Sequence, residues 1–355
     1  MQLTTKIKLY PTDEQRKALL DTMEVYNSAC NRIASMAYEA KLRKQFDIHH
    51  LVYKTIKEEF NLTSQMVVRA IAKVAGQFKR EFANHSFKPH GAIQYDSRIF
   101  RFKSVDIVNL WTTDSTKNRQ DIKMLMTGYQ KKTAKESKKQ ANLVFVDNQF
   151  YLLVVVDTDE KEPIDFDNII GVDFGIVKIA TLNDGTSFDG TIVENVRKKY
   201  AKLRGSLQKK GTKSAKRKLK KINKKESRFK RDLNHQISKK IVNKAKGTNS
   251  AISIENLKGI RSGTTVRKTQ RAKHHSWSFF QLREFIEYKS KVEGITVFVI
   301  NPKYTSQQCS CCGSIKRSNR KSQSIFKCSD CGFMHNADVN ASINIASRAL
   351  KLKAS

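Results

Sequence analysis

Five of the six cysteines fall within Cys309–Cys331, and four of them make two CxxC pairs. Cys309-x-x-Cys312 is followed, after 15 residues, by Cys328-x-x-Cys331. Each pair lets two thiolates chelate one ion from a tight turn, and Gly313 and Gly332 directly follow the pairs. Two such knuckles at this separation match a four-cysteine zinc ribbon. A four-thiolate shell leaves no open position, so the zinc it implies is structural rather than catalytic. Cys311 is left over inside the first knuckle, and the spacing favours Cys309 and Cys312 as ligands. Cysteines clustered in this way point to metal binding rather than to a disulfide framework. Cys30 lies apart, among helical apolar residues, and reads as core.

Three acids are the second feature with chemical content. Asp173 sits inside the apolar run IIGVDFG, Glu255 ends the run AISIE, and Asp338 opens the last helical segment in HNADVNASINIA. A carboxylate in or at the end of an apolar strand is costly unless it is paired or metal-bound. Each acid alone is accounted for by an ordinary buried, hydrogen-bonded carboxylate. Three of them from separated segments can hold two Mg²⁺ ions about 4 Å apart, the arrangement that cleaves phosphodiesters. His335, three residues before Asp338, is close enough in sequence to approach such ions, although a structural role is the simpler reading. His274 and His275 precede Trp277 in a stretch that reads as surface, and they carry no signal.

These groups are set in a strongly basic chain of 355 residues, with 68 Lys+Arg against 33 Asp+Glu and a formal net charge of +35. Charge alone makes nucleic acid the leading partner, with a basic membrane-associated or ribosomal protein as the plainer alternative. The longest apolar runs, Phe150–Val156 and Ile295–Ile300, fall far short of the about 20 residues a membrane-spanning helix needs. The N-terminus MQLTTKIKLYPTDEQRK has no apolar signal core. The expected location is therefore the cytoplasm, on the nucleoid when DNA is bound. Arg197–Lys246 holds 22 Lys+Arg and two acids, Glu226 and Asp232. Leu203, Leu207, Leu219, Ile222, Phe229, Leu233, Ile237 and Ile241 punctuate it at helical spacing, which predicts long amphipathic helices with a thin apolar stripe. A merely solvated helix face mixes signs and this one does not. Lys209, Lys210, Arg217, Lys220, Lys224, Arg228 and Arg231 are thus candidate nucleic-acid contacts.

The elements that must position these groups follow from periodicity. Residues 1–10 read as a strand, and Thr12 as the N-cap of a helix with Asp13 and Glu14 in its first turn. Three or four helices are expected up to about Phe87. In the helix Thr63–Glu81, Gln65, Arg69, Lys73 and Gln77 recur every four residues, giving a polar stripe that suits either an ordinary solvent face or a reader of base edges. Residues 93–156 carry the Val, Ile, Phe and Tyr enrichment of an antiparallel β-module, which the first strand could join. A hairpin signal follows at Asn183-Asp184-Gly185. Then come the basic helices, a strand ending at Glu255, and a Gly/Thr-rich loop in which Arg261, Arg267, Lys268 and Arg271 suit either a mobile lid or a plain loop. A helix with Trp277, Phe280, Leu282 and Phe285, the strand ITVFVI, the cysteine knuckles and a helix over about Val339–Leu350 close the chain.

GVDFGIVKIATL, SIENLKGI and HNADVNASINIA resemble the first, second and third motifs of a RuvC-like nuclease of the RNase H fold. Their order, together with TSQQCSCCG and FKCSDCG, resembles the transposon-encoded TnpB (OrfB) proteins, relatives of type V CRISPR effectors. MQLTTKIKLYPTDEQRKAL and WSFFQLREFIEYKSKVEGITVFVINPKYTSQQCSCCG extend the resemblance over nearly the whole chain. It implies an α+β multidomain protein. A β-barrel wedge would span 1–10 and 88–165, with a helical recognition insert at 11–87. A RuvC-like α/β nuclease domain would span 166–306 and 333–355, with a zinc ribbon inserted at 307–332 to bind target nucleic acid. It also implies an RNA-guided DNA endonuclease using a guide RNA derived from the transposon end, a double-stranded DNA target beside a short adjacent motif, two Mg²⁺ ions and one Zn²⁺. By motif match, Asp173, Glu255 and Asp338 correspond to the catalytic metal-binding acids, and Cys309, Cys312, Cys328 and Cys331 to the ribbon beside them. Arg267 and Arg271, with the stripe and the basic helices, would meet nucleic acid.

The chain departs from the pattern in its shortness and in Cys311. A compact type V CRISPR effector has the same chemistry, and a nuclease-silent, RNA-guided repressor the same scaffold. All three acids are retained, which argues against the latter. No tyrosine with a His-hydrophobic-His pair, as in a strand-joining transposase, is visible. A monomer is favoured.

Overall fold

The computed structural model describes residues 1–128, 130–131, 137–257 and 278–354. Two compact units divide the chain, Met1–Asp159 and Glu160–Ser355. The protein is α+β in both.

In the first unit, β1 (Gln2–Tyr10) leads into three helices, α1 (Asp13–Glu39), α2 (Gln45–Glu59) and α3 (Ser64–Arg80). Thr12 caps α1 as expected. Its hydroxyl accepts from the amide of Gln15, whose side chain accepts from the amide of Thr12. Six further strands follow, β2 (Ile93–Asp96), β3 (Phe100–Phe102), β4 (Ile107–Trp111), β5 (Arg119–Leu125), β6 (Ser137–Val146) and β7 (Gln149–Asp157). With β1 they form one antiparallel sheet in the order β2-β6-β7-β1-β5-β4-β3. The first strand therefore sits at the centre of a sheet whose other members lie some 90 residues downstream, and the helices are an insertion. Asp147 and Asn148 both take positive φ and close the β6–β7 hairpin in two residues. The sheet curls so that the Tyr95 hydroxyl on β2 donates to the Trp111 carbonyl on β4 at 2.8 Å. No ladder joins β2 to β3 among the described residues, so the expected barrel is here a curled open sheet.

The second unit holds a five-stranded sheet, β8 (Asn168–Asp173), β9 (Lys178–Leu182), β10 (Ser187–Asp189), β11 (Ser250–Glu255) and β12 (Val297–Ile300), in the order β10-β9-β8-β11-β12. β8, β11 and β12 are parallel, whereas β9 and β10 run against their neighbours. Residues 160–165, expected in the wedge, lie with this unit. The amide of Ile164 donates to Gly294 at 2.9 Å and Lys161 pairs with Glu293 at 3.0 Å.

The basic run folds into three helices, α4 (Thr191–Lys210), α5 (Lys213–Ile222) and α6 (Lys225–Gly247). The first break comes at Gly211, which takes φ +64° behind α4, and Thr212, whose hydroxyl caps α5. A small apolar cluster of Leu207, Ala215 and Ile222 zips α4 onto α5. Glu226 ties α4 to α6 through Arg204 at 2.9 Å and is braced within α6 by Lys230 at 2.7 Å. No described helix is long and apolar enough to cross a membrane.

Three helices cover the sheet, two on one face and one on the other. α6 and α7 (Phe279–Glu293) bury Ile237, Ile241, Leu282 and Ile286 against Ile170, Val172, Ile252 and Ile254. α8 (Ala337–Ala354) buries Ile345, Ala346 and Ala349 against Ile169, Ala251 and Ile300. The two-residue period of a strand thus places 169, 171 and 173, with 251, 253 and 255, on the α8 side. Gly171 lets α8 come close. A Cβ there would lie 2.0 Å from the Ser342 carbonyl oxygen and 2.8 Å from the Ala346 amide. Gly171→Val is therefore expected to destabilise the protein by about 3 kcal/mol or more, since backbone rather than a flexible side chain must yield. An unchanged midpoint in thermal unfolding would contradict this packing.

Candidate active site and metal centre

β8 and β11 run parallel with Val172 opposite Ile254, so Asp173 and Glu255 come next, side by side, at the carboxyl ends of both strands. Both point to the face that α8 covers. Asp338 lies in the first turn of α8, one turn before the Ser342 carbonyl that rests on Gly171. Three segments distant in sequence thereby place three carboxylates at one end of the sheet.

Electrostatics register the convergence. Burial, then the charges of Glu255 and Asp338, push the Asp173 carboxyl up to about 8, against a smaller downward pull from Arg320. Glu255 is 6% exposed, and burial raises its carboxyl too, opposed by a hydrogen bond from Thr305 and by the Arg348 charge. The Thr305 hydroxyl donates to Glu255 Oε1 at 2.5 Å. Arg320 Nη2 donates to Asp338 Oδ1 at 3.0 Å and to the Gln323 carbonyl at 3.0 Å. Asn336 caps α8, its Oδ1 accepting from the amides of Asp338 and Val339 at 3.0 and 3.2 Å. The charges of Glu255 and Asp338 both bear on the buried Asp173, and carboxylates gathered in this way offer hard oxygen ligands to divalent cations. Sequence reasoning named the acids and missed Thr305, Arg320 and Arg348. One signal was available: Asn336, Asn340, Asn344 and Arg348 recur every four residues.

The four predicted zinc ligands meet. The Sγ atoms of Cys309, Cys312, Cys328 and Cys331 all lie within 4.8 Å of one another, the one such group of three or more metal-ligating side chains among the described residues. The Cys309–Cys331 and Cys312–Cys328 sulfurs are 3.7 and 3.6 Å apart. Zinc–sulfur bonds of about 2.3 Å in a tetrahedron require sulfurs about 3.8 Å apart, so the residues fit the ion. The Cys331 amide is the foremost of the donors that lower the Cys328 thiol to about 7, which favours the thiolate a metal needs. Cys311 is exposed and outside the cluster. β13 (Ile325–Lys327) pairs with β14 (Met334–Asn336), so the ribbon continues past its expected end at 332 and runs straight into α8. His335 lies exposed on β14, stacked on Phe333 at 5.7 Å. Cys30 is buried as expected, and burial pushes its thiol up to about 12.

The candidate nucleic-acid contacts fall into three groups. Lys209, Lys210, Arg217, Lys220, Lys224, Arg228 and Arg231 are all exposed on α4–α6. The α3 stripe, in contrast, is not an open face. Lys73 donates to Asn27 Oδ1 at 2.7 Å and to the Ala92 carbonyl at 2.8 Å, Arg69 reaches Gln94 at 3.3 Å, and Gln65 bonds Asp96 and Arg98. The stripe packs on β2 and the residues flanking it because the opposite, apolar face of α3 meets α1 and α2 inside the core. Arg261, Arg267, Lys268 and Arg271, with His274, His275 and Trp277, lie outside the described residues.

Parts of the chain match known families. Residues 152–261 match the OrfB_IS605 model, described as a probable transposase, and residues 279–345 match the Cas12f1-like TNB domain. Over these segments the chain is similar to the TnpB (OrfB) proteins and to the Cas12f1-like nucleases. It is 34% identical to the TnpB-like protein MJ0751 of Methanocaldococcus jannaschii, over 43% of this chain and 55% of that one. It is 36% identical to the CRISPR-associated endodeoxyribonuclease Cas12f1 of Syntrophomonas palmitatica, over 48% of this chain and 37% of that one. The matches thus span about half or less of those relatives. In fold, the chain is similar to Cas12f1 in a Cas12f1–sgRNA–target DNA complex, with a TM-score of 0.61 and 17% identity over 93% of this chain and 82% of that one.

Proposed function

We propose that this TnpB-like chain is an RNA-guided DNA endonuclease. Its guide RNA derives from the transposon end, and it hydrolyses phosphodiester bonds in double-stranded target DNA beside a short adjacent motif. The convergence of Asp173, Glu255 and Asp338 at the end of the parallel β8–β11 pair carries this reading. Those carboxylates would hold two Mg²⁺ ions, which supply Lewis-acid activation of the phosphate and a metal-lowered pKa for the attacking water. Thr305 and Arg320 keep Glu255 and Asp338 in place. Cys309, Cys312, Cys328 and Cys331 hold one structural Zn²⁺.

The names of the relatives support the same activity, and the charge agrees with it. Base pairing with a guide supplies the sequence information, so the protein itself needs mainly backbone contacts. The exposed lysines and arginines of α4–α6 supply such contacts. In this assignment residues 1–10 and 88–159 form the wedge and 11–87 the recognition insert. Residues 160–306 and 337–355 form the RuvC-like nuclease, with the ribbon at 307–336. A monomer is the working stoichiometry.

The match to a Cas12f1-like domain favours one second reading, a compact CRISPR effector with the same chemistry. Protein expressed with its native flanking DNA, purified and sequenced for bound RNA, separates the two. A discrete RNA ending in sequence from outside the element, which then directs Mg²⁺-dependent cutting, is expected. A repeat–spacer RNA would move the assignment to the effector. Heterogeneous cellular RNA that directs no cutting would overturn the guided reading.

A further inference from the structure

α8 has a second polar stripe that the carboxylate site does not use. Asn340 and Asn344 are 0% and 3% exposed in the middle of a helix, where asparagine is a poor choice without a partner. Both side chains reach the segment between β12 and the first cysteine knuckle. Asn340 Oδ1 accepts from the Ser310 amide at 3.0 Å, inside the Cys309–Cys312 turn, and its Nδ2 donates to the Gln308 carbonyl at 2.8 Å. Asn344 Nδ2 donates to the Gln308 and Thr305 carbonyls at 2.7 and 3.0 Å. One turn on, Arg348 donates to the Asn301 carbonyl at 2.8 Å and to Gln308 Oε1 at 3.0 Å. Residues 301–310 are thereby clamped along one side of α8, while its other side rests on Gly171.

The clamp ends on two chemical centres. Ser310 belongs to the zinc knuckle. The Thr305 hydroxyl lies 2.5 Å from Glu255 Oε1 and 3.0 Å from the Pro302 carbonyl, and with one proton to give it favours the nearer carboxylate. Helix α8 itself carries Asp338, whose Oδ1 is held by Arg320 of the ribbon.

We infer that Asn340 and Asn344 are positioning residues that register the zinc knuckle, and Thr305 with it, to the carboxylates of the cleavage site. In this arrangement the ribbon is a fixed wall of the divalent-cation site. Outer partners of this kind typically change metal affinity or activity by about 10–100-fold when removed. The inference rests on the nuclease reading for its activity readout, and on cation binding independently of it.

The test uses the full-length chain with Asn340→Ala, Asn344→Ala, Thr305→Val and Thr305→Ser. Mn²⁺ titrated alone and followed by electron paramagnetic resonance reports the carboxylate site. Co²⁺ substituted for zinc reports the ribbon through its thiolate charge-transfer bands. The asparagine variants and Thr305→Val are expected to weaken Mn²⁺ binding and slow guided cleavage about 10–100-fold. Thr305→Ser is expected to restore both to within about threefold, since it returns the hydroxyl. Thr305→Val should leave the Co²⁺ spectrum unchanged. If the asparagine variants fail to fold, the Val/Ser pair at 305 still decides the matter. Unchanged Mn²⁺ affinity in Thr305→Val, or no rescue by serine, would overturn the inference. Mn²⁺ binding by the unsubstituted protein without guided cutting would sink the nuclease reading alone, and the affinities would still test the clamp.

Discussion

Asp173→Asn is expected to lower guided DNA cleavage by at least about 10³-fold while leaving RNA and target binding within about twofold. Divalent ions at such a site stabilise transition-state charge by several kcal/mol, and about 1.4 kcal/mol corresponds to tenfold in rate. Asp173 is the acid whose charge the other two most oppose, so it gains most from a bound cation. The basic helices that would meet phosphates are made of other residues, which is why binding should persist. The same environment sets the sign of a second effect. A carboxyl raised from the usual range to about 8 is disfavoured as an anion in the metal-free fold. Its linkage therefore subtracts stability as pH rises above the ordinary carboxylate range, until the shift is complete near pH 8. At neutral pH without divalent ions, Asp173→Asn should not lower the unfolding midpoint. Cleavage rates by gel and thermal unfolding by circular dichroism check both parts, and retained cutting would remove Asp173 from the mechanism.

Loss of zinc should act almost as strongly. Structural zinc contributes about 10–16 kcal/mol to the folding of small ribbons, a large share beside the short strands, few apolar side chains and Asn319 hydrogen bonds that otherwise hold this one together. Phe326, Cys309, Cys328 and Ala337 are its main buried residues. Cys328→Ser, or extraction with a zinc-selective chelator followed by excess Mg²⁺, is expected to reduce cleavage at least about 10²-fold. The route is visible in the bonds: an unfolded ribbon releases Arg320 from Asp338 and the Ser310 amide from Asn340. Cys311→Ser should stay within about twofold of the unsubstituted protein, because Cys311 lies outside the cluster. Zinc content by atomic absorption, measured beside the cleavage rate, gives the comparison. Full activity with less than about a tenth of a zinc per chain would show that the ribbon does not support the site, since outer partners normally matter at least tenfold.

Much of this arrangement was legible from local patterns. The cysteine spacing named the cluster because a CxxC turn is a local chelator whose geometry four residues define. Asp173 and Glu255 stood out because a carboxylate at the end of an apolar strand violates the local pattern, and Asp338 through the resemblance of HNADVNASINIA to a nuclease motif. Thr12, the Asn183-Asp184-Gly185 hairpin and the helical periods of residues 13–80 are likewise short-range signals. The α3 stripe shows where such signals stop. Its period of four is real, but whether a polar stripe faces solvent or a strand depends on which strand arrives, and β2 arrived with Asp96, Gln94 and Ala92 to occupy it.

What the sequence determined by itself were the ligand sets, the basic surface and the kinds of elements, all set by residue type and by spacings shorter than one turn or knuckle. Tertiary structure decided the rest. It placed β1 at the centre of a sheet with strands about a hundred residues away, with no ladder closing that sheet among the described residues. It brought Asp338 to Asp173 because Gly171 lets a helix backbone touch the strand. It also turned Asn340, Asn344 and Thr305 from unremarkable polar residues into a clamp. Hydrogen bonds between segments 30 to 50 residues apart depend on the packing of whole helices and sheets, and no local pattern encodes that packing.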